Sequence, residues 1–311
     1  MKFKVVFLSK KHIFIISFLI FAILSSIFIY HLFSQKSYYE SDMVIAKKDI
    51  EKGLKKDFNG DGKEDILYIT TKDNKYYGSV NIKDKSYMLS PDKKIGSLGK
   101  EYPYWGMRIF IRDISRDGIP EIFLQSSQEG IPISHIFNWN GIDFNDIYSS
   151  KNTILGILNS KNNKTPSIFS GSIVKGVFSF ENYMLIGTNF KNISYENITV
   201  PGNDEIINFI DIIENPYELS QLPNIFSESI SRNDTALLWK LEKNLYSYSF
   251  QDAFFIDDKW DNNGNISSVM WELNFKKKDK STDTSNNSII IRVLLTYSEN
   301  RYTISSFNFV S

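Results

Sequence analysis

Residues 57–65 read Asp57-Phe-Asn59-Gly-Asp61-Gly62-Lys63-Glu-Asp65, with oxygen-bearing side chains at loop positions 1, 3, 5 and 9 and glycine at position 6. That spacing suits Ca²⁺, a hard cation that takes six to eight oxygens at about 2.3–2.6 Å from a tightly curled loop. Lys63, at position 7, would contribute only its backbone carbonyl. Gly62 permits the sharp turn that brings the oxygens to one centre. Asp57, Asp61 and Asp65, bunched without a cation, would repel one another, and a divalent ion removes that cost. The pattern returns 56 residues later as Asp113-Ile-Ser115-Arg-Asp117-Gly118-Ile119-Pro-Glu121, with Ile119 as the backbone-carbonyl position. A single acidic turn would be weak evidence, since Asx-rich turns are common. Two copies at this spacing are a repeat, and two Ca²⁺ sites are expected.

A third copy runs from Asn159 to Ser167, but its acids have become Asn159, Asn163 and Ser167, and Lys161 takes a ligand position. A cation beside a metal site opposes binding, so this repeat is expected to keep its fold and to hold no metal. None of the loops is an EF-hand. That loop needs a bidentate acid at position 12 and flanking helices, whereas position 12 is Tyr68 in the first copy and Leu124 in the second.

The elements that must carry these loops are strands. Between the first two loops the chain predicts Asp65–Thr71, Tyr76–Ile82, Ser86–Leu89 and Trp105–Arg112, separated by Gly, Asn and Asp turns. Four strands per interval is the unit of a propeller blade. With their strands, the two loops resemble the FG-GAP/VCBS repeat family of integrin-type propellers and bacterial surface proteins, over roughly residues 49–200. The resemblance implies Ca²⁺ held by Asp57, Asn59, Asp61 and Asp65, and by Asp113, Ser115, Asp117 and Glu121. Three repeats fall short of the four to eight blades that close a propeller. The region is then an open stack, or the C-terminal domain or another chain covers its edges.

A change of pattern follows Pro201-Gly202. Asn203 or Asp204 can cap a helix in which Ile206, Ile207, Phe209, Ile210 and Ile213 lie at helical spacing. Further helical stretches are predicted over Leu219–Ser229 and from Asn233, then four strands: Tyr246–Ile256, Ile266–Phe275, Ile289–Tyr297 and Tyr302–Val310. Helices followed by an antiparallel meander define an α+β arrangement.

Upstream, the chain opens with four lysines and no acid before residue 12, and Ile13–Phe33 is apolar or small except for Tyr30 and His31. A 21-residue apolar run is long enough to cross a hydrocarbon core of about 30 Å. The basic flank predicts a cytoplasmic N-terminus and an extracytoplasmic C-terminus, a single-pass signal-anchor in the cell membrane. The expected fold class is therefore mainly β, with an N-terminal transmembrane helix, a propeller-like domain of about three four-stranded repeats, and a smaller α+β domain. The boundaries are a cytoplasmic tail at 1–11, an anchor at 12–33, a stalk at 34–48, the repeat domain at 49–202 and the C-terminal domain at 203–311.

Composition removes several function classes. Lys+Arg and Asp+Glu are 36 each, so bulk charge excludes a basic nucleic-acid binder. Without the four tail lysines, 32 basic residues face 36 acidic ones, a net charge of −4 outside. There is no cysteine, which removes disulfides, thiol catalysis and Cys-bound zinc. Only His135 of the three histidines lies beyond the apolar run, and it reads as a strand residue. Asp257, Asp258 and Asp261 read as a hairpin end or a cation-binding cluster, Lys276–Lys278 with Lys280 as a solvated loop or a site for an anionic cell-wall polymer, and Tyr102, Tyr104 and Trp105 as strand packing or a sugar-stacking patch. The function expected is a membrane-anchored, calcium-binding interaction or structural module without catalysis, with a protein or a cell-wall polymer as partner. The rival expectation is an extracytoplasmic carboxylate-dependent hydrolase with its pocket in the C-terminal domain.

Overall fold

A computed structural model describes residues 53–310 except 161, 163, 188, 195–198, 218–222, 283, 285 and 286, together with Lys11, Phe18, Ile20, Phe21 and Ser25. Those five N-terminal positions are helical and belong to a unit, Met1–Val44, separate from the unit Ile45–Ser311. Among the described residues no helix is long and apolar enough to cross a membrane. The transmembrane helix of the expected fold class is therefore withdrawn. A span needs about 20 continuous helical residues, and most of 12–33, like the tail and stalk, lies outside the described residues.

The rest is mainly β, as the alternating patterns predict. Strands β1 (Leu54–Lys56), β2 (Asp65–Lys72), β3 (Lys75–Ile82) and β4 (Lys85–Met88) form one antiparallel sheet in sequence order. A second four-stranded sheet follows, of β5 (Arg108–Arg112), β6 (Glu121–Gln128), β7 (Ile131–Trp139) and β8 (Phe144–Ser150), also in sequence order. Each acidic loop joins the first strand of its sheet to the second, so the fourth strand counted between the loops belongs to the next sheet.

The third group does not form a sheet of its own. Strands β9 (Ile154–Leu158), β10 (Ser167–Val174), β11 (Val177–Ile186) and β12 (Asn189–Asn192) continue into β13 (Tyr246–Trp260), β14 (Ile266–Asp279), β15 (Asn287–Ser298) and β16 (Arg301–Val310). One eight-stranded sheet results, ordered β12-β11-β10-β9-β13-β14-β15-β16. The expectation of three separate repeats followed by a smaller α+β fold is thus corrected: the third quartet and the C-terminal meander share a sheet. The seam is the parallel pair β9–β13, with Ile154, Leu155, Gly156 and Ile157 beside Ala253, Phe254, Phe255 and Ile256. Parallel strands are buried on both faces and carry unbroken apolar runs, and both segments do so.

Gly156 makes the seam fit. A Cβ there would lie 2.2 Å from the ring of Phe255, which itself packs on Phe169, Phe180 and Trp271. Gly156→Ala should therefore lose about 1–3 kcal/mol through overpacking, read as a lowered denaturation midpoint with an unchanged m-value.

Helix α1 (Asn203–Glu214) lies in the crossover between the parallel strands and buries Ile206, Phe209, Ile210, Ile212 and Ile213 in the same core as Phe255 and Trp271. Gly202, in the left-handed region, stands at its N-cap in place of the expected Asn203 or Asp204. The described part of the expected 219–229 helix is not helical; Phe226 bridges to Ile304 on the β16 edge instead. The next helix is short, α2 (Arg232–Ala236), and runs into a 3-10 turn over Leu237–Leu241. A second core joins the first two sheets through Phe58, Leu67, Val80, Ile109, Ile122 and Phe137. Phe254, on the opposite face of β13 from Phe255, stacks on Phe110 of β5 at 3.4 Å between ring centroids.

Candidate metal loops

The first two loops are built alike at positions 1, 5 and 9. Asp57 at position 1 accepts from Gly60 N and Gly62 N, each at 2.7 Å; Asp113 accepts from Arg116 N at 2.6 Å and Gly118 N at 3.0 Å. At position 5, Asp61 accepts from Lys63 N at 3.0 Å and Asp117 from Ile119 N at 2.8 Å. The position-9 carboxylate turns back to position 2: Asp65 accepts from Phe58 N at 2.9 Å and Glu121 from Ile114 N at 2.7 Å. Position 2 is an apolar anchor, with Phe58 and Ile114 both buried in the core. The loops therefore hang from the sheets by a buried side chain and a buried carboxylate, while positions 5 and 6 stay exposed. Gly62 and Gly118, at φ 80° and 88°, make the turn at position 6 that few other residues adopt.

At position 3, Asn59 accepts from Asp61 N at 3.0 Å, while the Ser115 hydroxyl donates to Asp113 Oδ1 at 3.2 Å. The two loops also lie side by side: a Cβ on Gly60 would meet the Ile119 side chain at 2.9 Å. Ile119 thus reaches the first loop with its side chain while its N–H donates to Asp117 of its own loop.

The electrostatics separate the inner and outer acids. Burial raises the carboxyl of Asp65, and it pushes Glu121 up to about 7. Asp61, exposed, is held below its ordinary range by Lys83 of the β3–β4 turn, whose ammonium lies 2.7 Å from Oδ2. Lys83 is a feature of the first loop that the linear pattern does not show, and a cation bound there would have to displace its ammonium from Asp61. Among the described residues, no group of three or more His, Asp or Glu is gathered closely enough to hold a metal ion. The acids expected as ligands from the sequence are turned instead to their own backbone N–H groups, and Asp61 also to Lys83; the expected set is Asp57, Asn59, Asp61, Asp65 and the Lys63 carbonyl, with Asp113, Ser115, Asp117, Glu121 and the Ile119 carbonyl.

The third loop joins β9 to β10 as the others join their strands, with Lys161 and Asn163 outside the described residues. Its ninth residue, Ser167, cannot supply the carboxylate that holds position 2. Asp257 of β13 does so instead: both its oxygens lie 3.0 Å from Ser160 N. In the sequence Asp257 reads as part of a hairpin end or of a cation-binding cluster; the missing acid at position 9 is the signal that a carboxylate from elsewhere is needed. Asp261 does close the β13–β14 turn, accepting from Asn263 N and Asn265 N at 2.8 Å.

The other singled-out residues fall outside the loops. His135 is fully buried on β7, bonded through Nδ1 to Asp146 at 2.7 Å and through Nε2 to the Ser97 carbonyl at 2.9 Å. Tyr102 stacks on Tyr104 at 5.5 Å, and Trp105 is buried with its indole donating to Asp252. Lys276, Lys277 and Lys278 are half-buried on β14 rather than in a solvated loop, with Lys276 over the Tyr104 ring and Lys277 over that of Tyr246.

This is a mainly β repeat protein whose first two sheets each carry one acidic loop in the same place. A family model for the FG-GAP-like repeat matches residues 57–124, which take in both loops, so this stretch of the chain carries FG-GAP-like repeat sequence. Two solved structures are similar over most of the chain at 9% identity. One is a thermostable family-43 glycoside hydrolase, covering 78% of this chain and 75% of its own at a TM-score of 0.26. The other is Bdellovibrio bacteriovorus Bd1075, covering 87% of this chain and 97% of its own at a TM-score of 0.27. No curated protein matches the chain.

Proposed function

We propose that the chain is an extracytoplasmic interaction module in which the 57–65 and 113–121 loops each take a structural Ca²⁺. The observation that carries this reading is the duplicated network: the same positions in both loops direct the same oxygens to the same backbone donors. The donors are hard oxygens from carboxylate, amide, hydroxyl and carbonyl, the set Ca²⁺ takes in preference to softer metals. A bound ion would supply the positive charge that the inner carboxylates, Asp65 and Glu121, lack in their buried positions. Its effect falls on order: the loops link the first two strands of each sheet, and their position-2 residues, Phe58 and Ile114, are buried, Phe58 in the core that joins the sheets.

Equilibrium dialysis of the purified chain against ⁴⁵Ca²⁺ tests this. Two ions per chain are expected, with a Kd of about 10⁻⁴–10⁻³ M, the range of extracellular modules. Asp57→Ala with Asp113→Ala should abolish binding. Wild-type protein that takes up no Ca²⁺ at millimolar concentration would sink the reading.

A further inference from the structure

The third loop lacks the position-9 carboxylate of its sister loops, and neighbouring segments of the fold supply both a carboxylate and a cationic group. Asp257 provides the carboxylate for Ser160 N because the parallel pairing of Ile157 with Ile256 brings β13 alongside the start of the loop. A cationic group comes from the second loop. Arg116 Nη2 lies 2.6 Å from the carbonyls of Asn162 and Lys164 and 3.1 Å from that of Asn159. Arg112, the last residue of β5, adds a bond from Nη2 to the Ser160 carbonyl at 3.1 Å. Backbone carbonyls gathered on one positive nitrogen are what a loop of this kind would present to a metal ion.

Arg116 is also unusual in its own backbone. It occupies the left-handed region at φ 61°, at position 4, where the first loop has Gly60 at φ 77°. A long side chain is uncommon there, so this conformation is sustained by its surroundings. Two contacts hold it: its N–H on Asp113 Oδ1 at 2.6 Å, and its guanidinium among the third-loop carbonyls. One residue thus joins the first candidate ligand of the second loop to the interior of the third.

We propose that Arg116 is the resident cation of the third loop, and that through it occupancy of the second loop sets the order of the third. The coupling rests on the calcium reading above; the role of Arg116 as substitute cation does not. Because Arg116 is exposed, its bonds govern local order more than global stability.

Hydrogen exchange on the full chain, in millimolar Ca²⁺ and in chelator, separates the two statements. In wild type, Ca²⁺ should slow the amides of 113–121 and also those of Asn162 and Lys164. Arg116→Gly places the first loop's own residue at position 4 and leaves every candidate ligand intact. It should keep the Ca²⁺ protection of 113–121 while Asn162 and Lys164 exchange about tenfold faster in either buffer. If Ca²⁺ protects 113–121 in wild type but leaves Asn162 and Lys164 unchanged, the coupling is overturned and the calcium reading stands. If Ca²⁺ protects neither loop, the calcium reading fails and the coupling with it. Unaltered exchange at Asn162 and Lys164 in Arg116→Gly overturns the substitute-cation role whatever Ca²⁺ does.

Discussion

Asp252→Ala should destabilise the chain by about 3–5 kcal/mol, because it leaves a buried guanidinium without its counter-ion. Asp252 is 3% exposed on β13, just after the bulge that shifts the β13–β14 register between Phe250 and Asp252. It pairs with Arg108 of β5, accepts from the Trp105 indole, and accepts from Asn274 Nδ2 at 3.2 Å. Arg108 is itself 5% exposed, and burial draws its guanidinium down to about 10, which still leaves it charged at neutral pH. Its remaining bonds, to Gln125 at 3.2 Å and to the Glu272 carbonyl at 3.4 Å, go to neutral acceptors. Removing the carboxylate strands one charge and two neutral donors inside the seam between the second sheet and the large sheet. Replacing the pair together, as Arg108→Met with Asp252→Leu, should lose much less, since no lone charge remains. Urea unfolding of the three proteins checks the order. If the single and the double substitution lose equal stability, the pair does not act as a unit.

How much of this was legible beforehand differs from element to element. The strands of the first two sheets and the helix beginning at Asn203 follow period-2 and period-3.6 patterns that depend on neighbours within a few residues. The merger of the third quartet with the C-terminal meander depends on two runs about a hundred residues apart, Ile154–Leu158 and Ala253–Ile256. Their unbroken apolar character was visible, but nothing local says that they pair in parallel. Gly156 reads as a turn residue in isolation and becomes intelligible only under the Phe255 ring. The α2 region shows the reverse: its apolar spacing suggested a longer helix than the five residues and the 3-10 turn that form. Packing against the sheet, rather than propensity, decides a helix so short.

At the loops, the ligand-type residues were legible because a metal loop is local: its donors lie within nine residues. The groups that modify them were not. Lys83 reaches Asp61 from a different turn, Asp257 reaches Ser160 from β13, and Arg116 reaches across to Asn162 and Lys164. Each is a long or charged side chain that reads alone as a solvated surface residue. Only the absence of an acid at position 9 of the third loop pointed beyond the linear pattern.

Thermal unfolding of the purified chain in about 10 mM Ca²⁺ against chelator reads the occupancy of both loops at once. An ion that binds only the folded state stabilises it by RT ln(1 + [L]/Kd), about 1.4–2.7 kcal/mol per site for Kd values of about 10⁻³–10⁻⁴ M. Two independent loops together give about 3–5 kcal/mol. For a folded unit of this size, each kcal/mol moves Tm by about 2–4 °C. A Ca²⁺-dependent rise in Tm on the order of 10 °C is therefore expected, about halved by Asp113→Ala and nearly absent when Asp57→Ala is added. Mg²⁺ at the same concentration should do far less, because it demands tighter octahedral geometry and gives up its water reluctantly. A Tm that is the same in Ca²⁺ and in chelator, or a rise that survives both substitutions, would contradict the assignment of these loops as calcium sites.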